Sequence, residues 1–137
     1  MTLRAKHNTI RSRFKTEVAD ARSLSTVYDN SRPSFLSDVT QPHDWARFTI
    51  LHSEASQKEI GENMTFRYAG IAVTQLFTVI DKGDNDLLLN ADTVVTAFRG
   101  VQVSGVRFGI PYATTVGRTP DGKWWQVNIN CPFTFDE

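Results

Sequence analysis

Residues 122–137 read GKWWQVNINCPFTFDE, and how this stretch is read decides the fold. Successive side chains of a β-strand point to opposite faces of the sheet. Counted in twos, Trp125, Val127, Ile129, Cys131, Phe133 and Phe135 form one face, apolar throughout. Trp124, Gln126, Asn128, Asn130 and Thr134 form the other, polar apart from its tryptophan and Pro132. Such a strand is covered on one side and wet on the other. Trp125 therefore belongs to the core, and Trp124 is left on the polar side needing a partner. Aromatic residues amid polar ones are common at interface hot spots, so Trp124 is expected to meet a neighbouring subunit. The alternative is that it lies under the long 22–44 loop of its own chain.

The preceding elements follow from the same reasoning. TPDG at 119–122 has good turn chemistry and leads into the last strand. Upstream, VQVSGVRF (101–108) and IPYATTVG (110–117) read as further strands. LLLNADTVVTAFRG (87–100) is a helix, with Leu87, Ala91, Val94 and Phe98 in one stripe that Leu88 and Val95 widen. Asp84 or Asn85 is placed to cap it, Asp86 suits the positive end of its dipole, and Gly100 is placed to end it. WARFTILH (45–52) alternates, with Ala46, Phe48 and Ile50 on one side and Arg47 and Thr49 on the other. It pairs with the β-rich run at 64–80 across a polar tip at 53–63, expected to be mobile in the free subunit and ordered on assembly, to make an extended hairpin. Gly70 within that run predicts a bulge or bend. At the N-terminus Ile10, Phe14, Val18 and Ala21 predict a helix, capped at Asn8 or Thr9 or beginning as early as Thr2. Residues 22–44 are turn-rich, with a short extended piece at Thr26–Tyr28. The whole reads as one α+β domain over 1–137: a mainly antiparallel twisted β-sheet with two α-helices packed on one face, plus an extended β-hairpin.

Composition sets the class. With 40% hydrophobic and 22% charged residues the chain is globular rather than disordered. No apolar run approaches a membrane span and the N-terminus has no signal-peptide core, so a soluble intracellular protein is expected. One cysteine leaves no internal disulfide and no cysteine-cluster metal site. Net charge is zero, which disfavours general nucleic-acid binding. The charges are unevenly spread, however. Arg4, Lys6, Arg11, Arg13 and Lys15 precede the first acid, whereas Asp81, Asp84, Asp86 and Asp92 cluster later. These are either solvated helix faces or complementary patches of a self-assembling surface, and in the second case Arg11, Arg13 and Lys15 are interface residues.

Catalytic chemistry is not visible. His7, His43 and His52 have no metal-ligand spacing. His43-Asp44 and His52-Ser53-Glu54 contain residue types used in nucleophilic catalysis, but a triad is defined by geometry that adjacency does not supply. DKGDND (81–86) lacks the ligand register of a calcium loop, and Gly100, Gly105 and Gly109 do not form a phosphate loop. No cofactor is implied.

The order of motifs carries more than any one of them. WARFTILHSEASQKEIG, then FRYAGIAVTQLFTVIDKG, then a helix ending AFRG, then KWWQVNINCPFTFDE resembles the tail terminator family of long-tailed bacteriophages. The family's positions are held here by Trp45, Arg47, Gln57, Gly61, Arg67, Gly70, Gln75, Phe77, Phe98, Trp125, Pro132 and Phe133. The resemblance implies a structural virion protein, assembled in the host cytoplasm, that forms a homohexameric ring on the head-proximal end of the tail tube. Such a ring stops tube polymerisation and presents the surface that joins the head. The partners implied are other copies of the chain, the major tail tube protein and a head-completion or connector protein. DNA passes through the lumen without specific binding, and no membrane is involved. Gln57 and Arg67, at motif positions, join Trp124 and the three cations as expected interface residues. Two other readings stand beside this one: another neck or tail component, such as a head-closure or tail-tube-related protein, and an unrelated binding module or small enzyme.

Overall fold

In the computed structural model the C-terminal stretch is a strand, Trp124–Asp136, and its alternation is realised. Val127, Ile129, Cys131, Phe133 and Phe135 are buried, and Trp125 is half-buried against the same core. The residues described are 2–30, 44–57, 61, 65–81 and 83–137, with the backbone alone at Thr2. In chain order the strands are β1 (Ser25–Tyr28), β2 (Trp45–Gln57), β3 (Phe66–Val79), β4 (Gln102–Val103), β5 (Val106–Phe108), β6 (Tyr112–Arg118) and β7 (Trp124–Asp136). The helices are α1 (Thr2–Phe14) and α2 (Asn85–Phe98).

These strands form one sheet in the order β1-β2-β3-β7-β5-β4, with β6 also on β7. β3 and β7 pair antiparallel from Arg67↔Asp136 to Val79↔Trp124 without a register break. β2 lies antiparallel on the other side of β3, and β1 lies parallel beside the start of β2. The far edge of β7 is shared. β6 occupies it opposite Trp125 to Asn130, and β5 opposite Phe133 to Phe135. The expected α+β fold with a mainly antiparallel sheet is therefore what forms, with one parallel joint at β1.

One face of the sheet is filled by the helices. Ile10, Phe14 and Val18 from the N-terminal helix, and Leu87, Ala91, Val94 and Phe98 from α2, are buried against Ala46, Phe48, Ile50, Leu76 and the apolar face of β7. Phe48 is the centre of this layer. Its ring stacks on Phe14 with centroids 4.3 Å apart and on Phe98 at 6.2 Å, and Phe98 meets Phe108 at 4.9 Å. After Phe14 the helix widens into a π-helical turn, Lys15–Ala19, in which the Asp20 amide reaches back to the Lys15 carbonyl (2.9 Å). The wider turn keeps Val18 and Ala19 on the core and rotates Ala21 outward. The expected 3.6-residue stripe thus ends one step early. The helix starts at Thr2, the earliest of the expected positions. At α2, Asp84 occupies the N-cap position but makes no side-chain cap bond, and Gly100 has the positive φ (+64°) that ends the helix.

Gly70 departs from its expected role. The irregularity is on the partner strand, where β2 carries one extra residue between His52 and Ala55, while β3 runs straight through. Glycine is needed at 70 for close approach. A Cβ there would lie 2.5 Å from the Leu51 carbonyl oxygen and 2.5 Å from Cζ of Phe133. β2 also extends further than expected: Ser53–Gln57 belong to the strand, so they are not part of a loose tip. Of the remainder of the expected tip, residues 58–60 and 62–63 lie outside the described residues, as does the loop over 31–43. VQVSGVRF is not one strand but a tight hairpin, β4–β5, because Ser104 and Gly105 both take positive φ (+48° and +83°).

Gly70→Val should therefore destabilise the fold despite valine's preference for strands. Forcing extra methyl groups into a filled site typically costs about 1–3 kcal/mol. A thermal melt should show a fall of at least about 3 °C. An unchanged melting temperature would mean that the Phe133 ring and the Leu51 backbone both give way freely.

Candidate functional site

The face of the sheet away from the helices is open, and it carries two unlike surfaces. At the end near the first residue of β7 lies a small second core. Val27, Trp45 and Phe77 are buried there, with Trp124 packed against them. Trp45 stacks on Phe77 (4.0 Å between centroids, planes 10° apart) and receives Trp124 edge-on at 5.9 Å. The Arg47 guanidinium lies over the Trp45 ring at 5.7 Å. Gln126, next along the same face, is buried and donates from Nε2 to Asn128 Oδ1 (2.7 Å).

The aromatic neighbour of Trp124 is Trp45 of its own chain, and Trp124 stays only half-buried. The physical reason is register. Trp45 pairs with Phe77, Phe77 with Gln126, and Trp124 is one step along that face of β7. Trp125 is only half-buried as well. Beyond the part that meets the core, it lines a surface cleft with Val79, Ile80, Asp81, Gly83, Asp84 and Arg118.

Further along the open face the surface changes. Leu51, Ile71 and Pro132 are direct partners across β2, β3 and β7 and form one row. Thr49, Val73, Asn130 and Tyr112 form the next. Leu51 is 53% exposed, Tyr112 54% and the neighbouring Ile110 75%. The first row is apolar throughout, whereas Thr49 and Asn130 interrupt the second.

The other expected interface residues do not form one site. Arg11 donates to His7 Nε2 (3.1 Å) and lies over the Tyr28 ring at 5.5 Å. Arg13 donates from Nε to the Ala97 carbonyl (2.9 Å) and approaches Glu17 at 3.9 Å. Lys15 pairs with Asp20 at 3.1 Å. All three are thus engaged within the subunit, Arg11 and Arg13 holding α1 to the sheet and to α2. Arg67 forms a two-pronged pair with Asp136 (2.9 and 3.3 Å) that Arg107 joins at 3.1 Å, tying β3, β7 and β5 together. Gln57 is exposed at the end of β2, one residue beyond the partner of Arg67. Trp124 lies at the opposite end of β7 from Asp136, about 40 Å away along the strand. Arg4 on α1 and Asp84 and Asp92 at α2 are exposed.

Residue types used in catalysis are placed as follows. His43 lies outside the described residues. His52 sits on the helix side of β2 and meets His7 of α1, with Nδ1 of His7 3.0 Å from Nε2 of His52. Sequence spacing gave no sign of this pair, because only the packing of α1 over β2 brings positions 7 and 52 together. The Cys131 thiol is buried, which pushes its pKa up to about 12 and leaves it an unreactive core side chain. Among the described residues no group of three or more His, Cys, Asp or Glu side chains is arranged to hold a metal ion.

No family model matches the chain, and no curated protein matches it. Solved structures do share its architecture. One aligns over 94% of this chain and 94% of its own with a TM-score of 0.62, at 15% sequence identity. That degree of identity speaks for a common α+β fold and for nothing finer. No described helix is long and apolar enough to cross a membrane.

Trp124→Ala should now lower the stability of the isolated subunit. A fully buried tryptophan costs about 3–5 kcal/mol when truncated, and a half-buried one roughly half of that. Thermal melts of the Trp124→Ala protein and the parent check this. A variant that melts like the parent would return Trp124 to a contact between subunits.

Proposed function

We propose that the chain is a structural virion protein of the tail terminator kind. Six copies form a ring on the head-proximal end of a finished phage tail tube, end its polymerisation and offer the surface to which the head joins. The observation that carries this reading is the apolar row Leu51–Ile71–Pro132, with exposed Tyr112 in the next row of the open face, a surface suited to burial against another protein. The motif order of the sequence says what kind of protein. Closing a ring requires heterologous contacts, and the two margins of this sheet are unlike: β1 and β2 stand at one, β4 and β6 at the other. Copies related by rotation therefore present different surfaces to each other. The major tail tube protein meets one face of the ring and a head-completion or connector protein the other. Zero net charge suits a lumen through which DNA passes without specific binding. The chemistry is recognition and capping.

Electron microscopy of phage lacking this gene tests the reading. Overlong tails without heads are expected. Tails of normal length beside leaking heads would assign the chain to head closure instead. At the level of the protein, Leu51→Glu should leave the melting temperature within about 1 °C of the parent, since exposed substitutions are near neutral, and should abolish capping of purified tubes. Full capping by that variant would remove the open face from the interface.

A further inference from the structure

His7 and His52 form a contact whose proton order is dictated by its neighbours. Arg11 is four residues after His7 on α1, and its Nη2 is 3.1 Å from His7 Nε2. A guanidinium has donors and no acceptor, so His7 Nε2 must accept. The ring proton of neutral His7 is then on Nδ1, from which it donates to His52 Nε2 at 3.0 Å. His52 in turn carries its own proton on Nδ1. Ring centroids 5.3 Å apart leave the two imidazoles pointing at one another across one hydrogen. A metal ion would need both lone pairs aimed at a common point, and here one of the two nitrogens bears the proton.

What this contact fastens is specific. His52 is the last paired residue of β2 before the extra residue, and every β2 residue from Leu51 to Gln57 is exposed. Among the described residues this distal part of β2 has a strand partner on one side only, β3. His52 also stands edge-on to Phe133 at 6.0 Å, over the position where Gly70 gives room. Among the described residues its tie to the helix layer is the hydrogen bond to His7.

We propose that the Arg11–His7–His52 relay is an acid-released catch that holds the distal part of β2 against α1 while both imidazoles are neutral. A proton added to His52 Nε2 faces the N–H of His7. One added to His7 Nε2 faces the guanidinium of Arg11. The first event turns the His7–His52 pair into two opposed donors and opens it. The second opposes donors at Arg11 and removes the contact that fixes the orientation of the His7 ring, so its Nδ1–H is no longer held on His52. The charged groups around His7 act in the same direction with one exception. Burial, then Arg11, then His52 hold its pKa below the usual 6.5, and Asp29, beyond β1, opposes them. The sign follows from linkage: the folded, latched state binds fewer protons at His7 than the open one. Its advantage is full above the ordinary histidine pKa and is lost as pH falls through and below 6.5. This inference goes beyond the ring reading and does not depend on it.

Two measurements on the whole protein test the catch. The first is the ring ¹⁵N spectrum at about pH 8, where His7 is expected as the Nδ1–H tautomer; an Nε2–H tautomer overturns the proposal. The second is amide hydrogen exchange between about pH 8 and pH 5, corrected for the intrinsic pH dependence. The distal β2 amides should open more readily by up to about tenfold per pH unit for each proton taken up. Core amides such as Leu76 and Ile129 should not change. In His7→Gln/His52→Gln the pH dependence of distal β2 should vanish. Flat exchange in the parent, or equal loosening in the double variant, contradicts the catch.

Discussion

The rest of the structure depends on the pairing of β3 with β7. It runs from Arg67↔Asp136 to Val79↔Trp124 without a break, and because side chains alternate, one register choice assigns every residue of both strands to a face. It places Ala72, Leu76, Val127, Ile129, Cys131 and Phe133 under the helices, and Gln75, Asn128 and Asn130 away from them. A slip of one residue would turn Phe133 and Phe135 into solvent and bury asparagines. The Arg67–Asp136–Arg107 cluster locks one end of this pair. The Thr119–Asp121 turn, whose carboxylate accepts the Thr119 hydroxyl (2.5 Å) and the Lys123 amide (3.1 Å), anchors the other. Those two hydrogen bonds hold the exposed Asp121 carboxyl below the usual carboxylate range.

Given that register, the two faces divide the work. The helix side is filled by stacked aromatic rings centred on Phe48, and the histidine catch sits at its margin where β2 leaves the core. Among the described residues the open side is finished by its own side chains at one end, where Trp45, Phe77 and Trp124 pack together. Beyond the polar middle, Leu51, Pro132 and Tyr112 are exposed and Ile71 is half-buried between them. A sheet that closes one apolar end with its own tryptophans and leaves another exposed has separated stability from contact. That separation is the physical ground for reading the uncovered strip as an assembly surface.

Much of the fold was legible because its signals are local. The alternation of β7, the triplet Ala46, Phe48 and Ile50, and the stripe Leu87, Ala91, Val94 and Phe98 each report a face within one element. The features that escaped are set by partners distant in the chain. β1 joins β2 in parallel, β2 rather than β3 carries the extra residue, and Trp124 finds Trp45 through two successive registers. The candidate site was less legible for the same reason. A run of cations shows charge but not where each side chain reaches, and Arg11, Arg13 and Lys15 meet His7, Ala97 and Asp20 of the same chain. Leu51, Ile71, Pro132 and Tyr112 are unremarkable singly and form a strip only once four strands are aligned.

The central claim is that this strip becomes buried on assembly, and thiol labelling measures it directly. Cys131 is buried and its thiol is held near 12, so it stays silent. A single Tyr112→Cys substitution then supplies one reporter on the open face. It should react freely in the isolated subunit and be protected at least about tenfold once the protein is bound to tail tubes, as burial of a reactive thiol requires. Equal labelling rates before and after binding would contradict the assignment of the open face as the surface of assembly.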